Sequence, residues 1–177
     1  MDSGFFAYLQ QLELMAFFSG YPLLYAIILL MAGNQSSKNK VRDRVVPLLP
    51  FSYALVGTLY FGLQLKNLYP DYSFENIKLS MQLPWLVGWG LLSTLFWIPV
   101  LARKPVWSLA HSLIFFFFLT RDLFIHAFQS SADKNVVRND MKIYTDSILL
   151  NLGSLFLVTL ISMLIAHLKK HERSPRI

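Results

Sequence analysis

Four ionisable side chains lie within one apolar stretch of the chain, residues 106–128. They are His111, Arg121, Asp122 and His126. The stretch is long and apolar enough to cross a bilayer, where a charged group is costly unless it finds a partner, a water-filled cavity or a route to the headgroups. These residues are therefore the first candidates for a binding site or a pathway.

Four more apolar segments accompany this one, and together they predict an all-α bundle of five transmembrane helices. The hydrocarbon core requires about 20 residues of helix, and the predicted spans are residues 5–32, 46–65, 83–102, 106–128 and 146–168. Because the connections are short, we expect one membrane domain over residues 1–177, which ends in a basic tail at 169–177.

The composition agrees with a membrane protein, since 55% of the residues are hydrophobic and they occur in blocks. The net charge is +6, but the basic residues flank the apolar blocks and form no single patch. We therefore predict the lipid bilayer as a partner and no nucleic acid. The chain has no cysteine, which excludes disulfides, iron–sulfur ligation and cysteine-based zinc sites.

The distribution of charge predicts the orientation. With five spans, the 33–45 loop, the 103–105 turn and the tail lie on one side, and they contain ten of the 16 Lys and Arg but two of the ten Asp and Glu. Basic loops stay in the cytoplasm. We expect the N-terminus outside, the C-terminus in the cytoplasm, and a location in the cytoplasmic (inner) or plasma membrane.

Local patterns predict three further features. Pro22, after Ser19 and Gly20, predicts a kink in the first span. Ser73 is expected to cap a short amphipathic helix in the 66–82 connection. Polar residues in the last span share one helical face and are expected to pack against protein: Ser147, Asn151, Ser154 and Ser162. A polar loop is predicted at 129–145.

Polar residues of the other spans are predicted at the depth of Arg121, in the outer part of the bundle. They are Glu13, Gln64, Lys66 and Asn151. One interpretation is a pocket or pathway open to the outside, in which Glu13 and Arg121 form a charge pair and Asn151 provides hydrogen bonds. In the other, Arg121 and Lys66 extend to the outer headgroups and Glu13 lies in the interface.

Asp122 and His126 are four residues apart and so share a helical face. They could relay protons, or form a local hydrogen bond that ends the helix. A haem between His111 and His167 is not predicted, because their depths differ by about two helical turns. Four dispersed histidines also predict no zinc site, and no cofactor is expected.

Three functions remain open. The first is a non-catalytic subunit packed among other membrane subunits, favoured by short connections, small-residue faces and the lack of a catalytic motif such as G-x-S-x-G or H-E-x-x-H. The second is a small transporter, channel or receptor in which the polar level binds a small molecule. The third, least favoured, is an enzyme acting on lipid-like substrates, with Asp122 and His126 as acid and base.

In length, span count and aromatic content, the chain resembles the tryptophan-rich sensory (translocator) family. That family's Trp- and Pro-rich signature near the start is absent here, so no residue roles are taken from it.

Overall fold

The computed structural model describes residues 3–33, 40–81, 83–128 and 134–172, and within these ranges the chain is helical and contains no strand. The predicted all-α class is confirmed. The α-helices are α1 (Ser3–Phe18), α2 (Tyr21–Gly33), α3 (Lys40–Val45), α4 (Leu49–Leu68), α5 (Phe74–Ser80), α6 (Pro84–Leu92), α7 (Pro99–Ala102), α8 (Pro105–Phe128) and α9 (Lys134–Glu172). One 3₁₀ helix, Val46–Leu48, precedes α4, and another, Ser93–Trp97, lies between α6 and α7.

Three helical stretches are long and apolar enough to cross a membrane: Gln10–Met31, Asp43–Leu68 and Lys142–Lys170. They fit a membrane protein. A fourth apolar stretch, Pro105–Arg121, is shorter and belongs to α8. The whole of α8 has 24 residues, or about 36 Å at 1.5 Å per residue.

The first apolar segment is broken at the predicted position. Helix α1 ends at Phe18 and α2 begins at Tyr21, and Pro22 has no N–H to donate to the Phe18 carbonyl. The break lies directly against α9, because a Cβ on Gly20 would come within 2.6 Å of backbone atoms of Ser147 and Ile148. Glycine is required here for this close approach rather than for its backbone angles.

The predicted span at 83–102 is not one continuous helix. It comprises α6, a 3₁₀ helix and α7, and two hydroxyls bond back to carbonyls three residues earlier, Ser93 Oγ to Gly90 O and Thr94 Oγ1 to Leu91 O. Ile98 is extended, with ψ at 119°, because the residue before a proline avoids the helical region. Pro99 then starts α7, where its missing N–H costs least.

The predicted loop at 129–145 is wrong for most of its length, since α9 begins at Lys134; residues 129–133 lie outside the described residues. The segment is polar, but it lacks Gly and Pro from 134 to 145, and its residues tolerate a helix. At 39 residues, α9 is about 58 Å long and exceeds a 30 Å hydrocarbon core.

The predicted cap in the 66–82 connection is confirmed. Helix α5 begins at Phe74, and the Ser73 side chain accepts a hydrogen bond from the Asn76 N–H at 3.3 Å. Phe74 is 79% exposed. An exposed aromatic ring on so short a helix suits the membrane surface.

Aromatic rings fill the interior between α1, α4 and α8. The Phe18 ring lies 4.8 Å from Phe115, 5.4 Å from Tyr60 and 5.7 Å from Tyr53, measured between centroids. Gly57 lets α4 pack directly against the second 3₁₀ helix, since a Cβ there would collide with the Ser93 side chain. The interior is therefore densely packed, and the polar groups among these rings are held in fixed positions.

Candidate functional site

Glu13 and Gln64, two of the residues predicted at the outer polar level, meet inside the bundle. Gln64 Nε2 donates a hydrogen bond to Glu13 Oε2 at 3.5 Å, which is long for such a bond. Gln64 is buried and Glu13 is partly buried. One turn before Gln64 on α4, the buried Tyr60 hydroxyl has no hydrogen-bond partner among the described residues.

Arg121 and Lys66 do not join this contact. Both side chains are exposed, Arg121 on α8 and Lys66 at the end of α4. Among the described contacts, Glu13 is bonded to Gln64 and forms no ion pair with Arg121. Exposed cations near helix ends match the interpretation in which they extend to the headgroups.

The described hydrogen bonds of Asn151 are made at the break between α1 and α2, not to Glu13 or Gln64. Its Nδ2 donates to the Phe17 carbonyl and to the Ser147 carbonyl, both at 2.8 Å. One turn earlier, Ser147 Oγ accepts a hydrogen bond from the Gly20 N–H at 2.8 Å. A helix end leaves such N–H and C=O groups without partners, so α9 satisfies one group on each side of the break.

The face of α9 that includes Asn151 packs against protein, as predicted for most of its length. Ser147, Asn151 and Ser154 are buried, whereas Ser162 is only partly buried. Asn151 Oδ1 is buried without a hydrogen-bond partner among the described residues. The amide of Asn151 is therefore oriented by its two carbonyl acceptors, which only a donor can satisfy.

The structure also places His111 in an aromatic pocket. His111 Nδ1 lies 2.7 Å from the Tyr53 hydroxyl, and its ring stacks on Trp89 with centroids 4.7 Å apart and an interplanar angle of 6°. Phe96 and Phe115 pack around the same ring. On the same helix, the Ser108 hydroxyl is 2.7 Å from that of Tyr21.

The Tyr53–His111 contact was not predicted, although the sequence has a signal for it. On α4, Tyr53, Tyr60 and Gln64 are spaced by seven and four residues, so the sequence places them on one helical face. The structure buries all three. Polar groups at core positions need partners on a neighbouring helix. Depth along each helix, on which the predicted site was based, contains no information on which face each residue occupies.

The remaining candidates do not form a described site. Asp122 and His126 lie in the last turns of α8, and their side chains are outside the described residues, so their proposed acid–base role stays a prediction. His167 is exposed near the end of α9, whereas the His111 ring is bonded to Tyr53. In the described part of the chain, no three His, Asp or Glu side chains are grouped to hold a metal ion.

Comparisons with protein-family models, curated proteins and solved structures find no match to this chain. The resemblance to the tryptophan-rich sensory family, which rested on length, aromatic content and the predicted span count, is thus not accompanied by a family match.

Proposed function

We propose that the chain is a non-catalytic integral membrane subunit that packs within a larger membrane complex. In this proposal it crosses the cytoplasmic or plasma membrane five times, with the N-terminus outside and the C-terminus in the cytoplasm. Its partners are the bilayer and other membrane subunits.

Besides the three long apolar stretches, the proposal requires two further crossings, the 83–102 segment and α8. At about 36 Å, α8 is long enough for a 30 Å core. The 83–102 segment has nine residues in α6, five in the 3₁₀ helix and four in α7, which together extend about 30 Å if the pieces follow one direction. A broken helix is tolerated at this depth where protein covers the break.

The exposed apolar surface of α9 is the observation that supports a subunit role most directly. Within the apolar stretch of α9, Lys142–Lys170, only 17% of an 18-residue segment is buried inside the chain. The corresponding fraction is 56% for Gln10–Met31 and 44% for Asp43–Leu68. Gly153 interrupts this surface, and a Cβ there would meet nothing within 4 Å. Small residues on an exposed transmembrane face let another helix approach closely.

The interior polar contacts support the same proposal. The described hydrogen bonds of Asn151, Tyr53 and Gln64 each join two helices of this chain, and that of Ser147 joins α9 to the break at Gly20. These contacts, and the aromatic rings packed between α1, α4 and α8, hold the bundle together. The polar groups thus have a structural use, which agrees with a non-catalytic role.

The test is to replace Gly153 by Leu and to purify the tagged chain from its own membranes. We expect co-purifying proteins to be lost while the amount of the chain stays normal, because the added side chain separates α9 from its neighbour. Gly88→Leu is the matched control, since a Cβ on Gly88 also meets nothing within 4 Å but lies on α6. Unchanged co-purification in Gly153→Leu would contradict a partner on this face.

The Glu13–Gln64 contact favours a second candidate, a small transporter, channel or receptor that binds a small molecule in the outer half of the bundle. An acid within a transmembrane helix is a functional candidate by default, and the Tyr60 hydroxyl nearby lacks a described partner. Under this candidate, Glu13→Gln abolishes binding or transport while the chain still folds. If Glu13→Gln only prevents the chain from accumulating, the acid has a structural role.

A further inference from the structure

A groove lies between the end of α3 with the 3₁₀ helix that precedes α4 and the C-terminal half of α9. Its cavity measures about 660 Å³, within the range of small-molecule sites. Its lining has one cation, Arg44, and two hydroxyls, Thr159 and Ser162, and is otherwise apolar. Its lining residues are Arg44, Val45, Leu48, Thr159, Ser162, Met163 and Ala166.

A second, apolar cavity adjoins the first. It measures about 220 Å³ and shares Leu48 and Ser162 with the larger one. Its other lining residues are Phe51, Trp97, Val158, Ile161 and Ile165. The two cavities together form a groove with a charged end at Arg44 and an apolar end at Trp97.

A second basic residue continues the α9 side of the groove. Thr159, Met163, Ala166 and Lys170 are spaced by four, three and four residues, so they form one stripe along the helix. Lys170 is exposed one turn beyond Ala166. The positive charge of the groove is therefore concentrated at the end of α9 that also carries the basic tail.

We propose that this groove binds an anionic glycerophospholipid of the bilayer, with its phosphate at Arg44 and an acyl chain against Leu48 and Trp97. Arg binds phosphate through two parallel N–H donors, and basic pockets between transmembrane helices on the cytoplasmic side bind acidic headgroups. The lining matches both parts of such a lipid, because Arg44 is a cation that can bind the phosphate and the apolar residues can contact an acyl chain. The proposal needs the membrane placement of the chain but no partner subunit.

The experiment is a lipid competition followed by native mass spectrometry. The full-length chain is purified in micelles containing phosphatidylglycerol and phosphatidylcholine in equal amounts, and the lipids retained per chain are counted. Both lipids have a phosphate, but the choline cation makes the phosphatidylcholine headgroup neutral, so only phosphatidylglycerol presents net negative charge to Arg44 and Lys170. We therefore expect retained phosphatidylglycerol to exceed phosphatidylcholine about tenfold in the unmodified chain. Arg44→Gln should bring the two close to parity, and Lys170→Gln should lower the preference severalfold.

Two other variants separate charge from the shape of the groove. Lys169→Gln removes a neighbouring charge about 100° around the helix from Lys170 and should keep the preference. Ser162→Phe fills the junction of the two cavities and should reduce retention of both lipids. Equal retention of the two lipids by the unmodified chain would overturn the proposal. It would also be overturned by an unchanged preference in Arg44→Gln, or by a second copy or another protein found in the groove in place of lipid.

Discussion

Replacing Asn151 by Asp changes a single atom at the contact between α9 and the break in the first apolar segment. The nitrogen that donates to the Phe17 and Ser147 carbonyls, both at 2.8 Å, becomes an oxygen. As a carboxylate it would face two carbonyl oxygens, and as a neutral acid it has one proton for two acceptors. At least one of the two carbonyls loses the hydrogen bond from this side chain, and an acid oxygen faces it instead, so we expect unfolding to become easier by about 2–4 kcal/mol.

Asn151→Leu is the informative comparison because its volume is similar but it has no polar atom. It also leaves the Phe17 carbonyl without its partner, yet it removes Asn151 Oδ1, which is buried without a described partner. These effects oppose each other, and hydrogen bonds between membrane helices contribute about 0.6–2 kcal/mol. We therefore expect a loss of about 1 kcal/mol, smaller than that of Asn151→Asp.

The assay is unfolding of the purified chain in mixed micelles with a rising fraction of dodecyl sulfate, followed by tryptophan fluorescence. Asn67→Asp is the matched control: Asn67 is exposed at the end of α4, so its change should stay within about 0.5 kcal/mol. If Asn151→Asp unfolds like the unmodified chain, or is less harmful than Asn151→Leu, the reasoning on the two carbonyls is refuted.

Three other predictions follow from the packing, the aromatic pocket and the charge distribution. Gly20→Ala should lower the melting temperature by about 3–10 °C, because its Cβ would meet the α9 backbone at 2.6 Å. Gly153→Ala is the control and should leave the melting temperature unchanged. If Gly20→Ala melted at the same temperature as the unmodified chain, the close approach would be contradicted. Tyr53→Phe removes the hydroxyl 2.7 Å from His111 Nδ1 and should cost about 1 kcal/mol in the micelle assay, and an unchanged midpoint would show that this bond adds no stability. A reporter fused after Ile177 should respond only from the cytoplasm, and a response from outside would contradict the proposed orientation.

Hydrophobic blocks and prolines were sufficient to predict the helical class and the break at Ser19–Gly20. Both depend on local properties: apolar length, and the missing N–H of Pro22. The Ser73 cap is local in the same sense. The extended conformation of Ile98 also depends on a local property, since Pro99 follows it. The single span predicted at 83–102 was based on apolar content alone, so this break was not predicted.

The candidate site was less predictable, because contacts between helices depend on helix rotation. Glu13 and Gln64 were predicted at one depth and do meet, but Arg121, which was predicted at the same depth, is exposed. Asn151 was expected to provide hydrogen bonds within the polar level. Its described partner outside α9 is the Phe17 carbonyl, a backbone group freed by the break. No side-chain pattern in the sequence identifies that acceptor.

The most direct test of the proposed subunit role is native mass spectrometry of the tagged chain, extracted from its own membranes in a mild detergent. The proposal predicts that different membrane proteins co-elute with the chain in a fixed ratio, and that Gly153→Leu removes them. A monomer or a homo-oligomer without other proteins would contradict it, and a small molecule retained at Glu13 and Gln64 would then favour the binding or transport candidate.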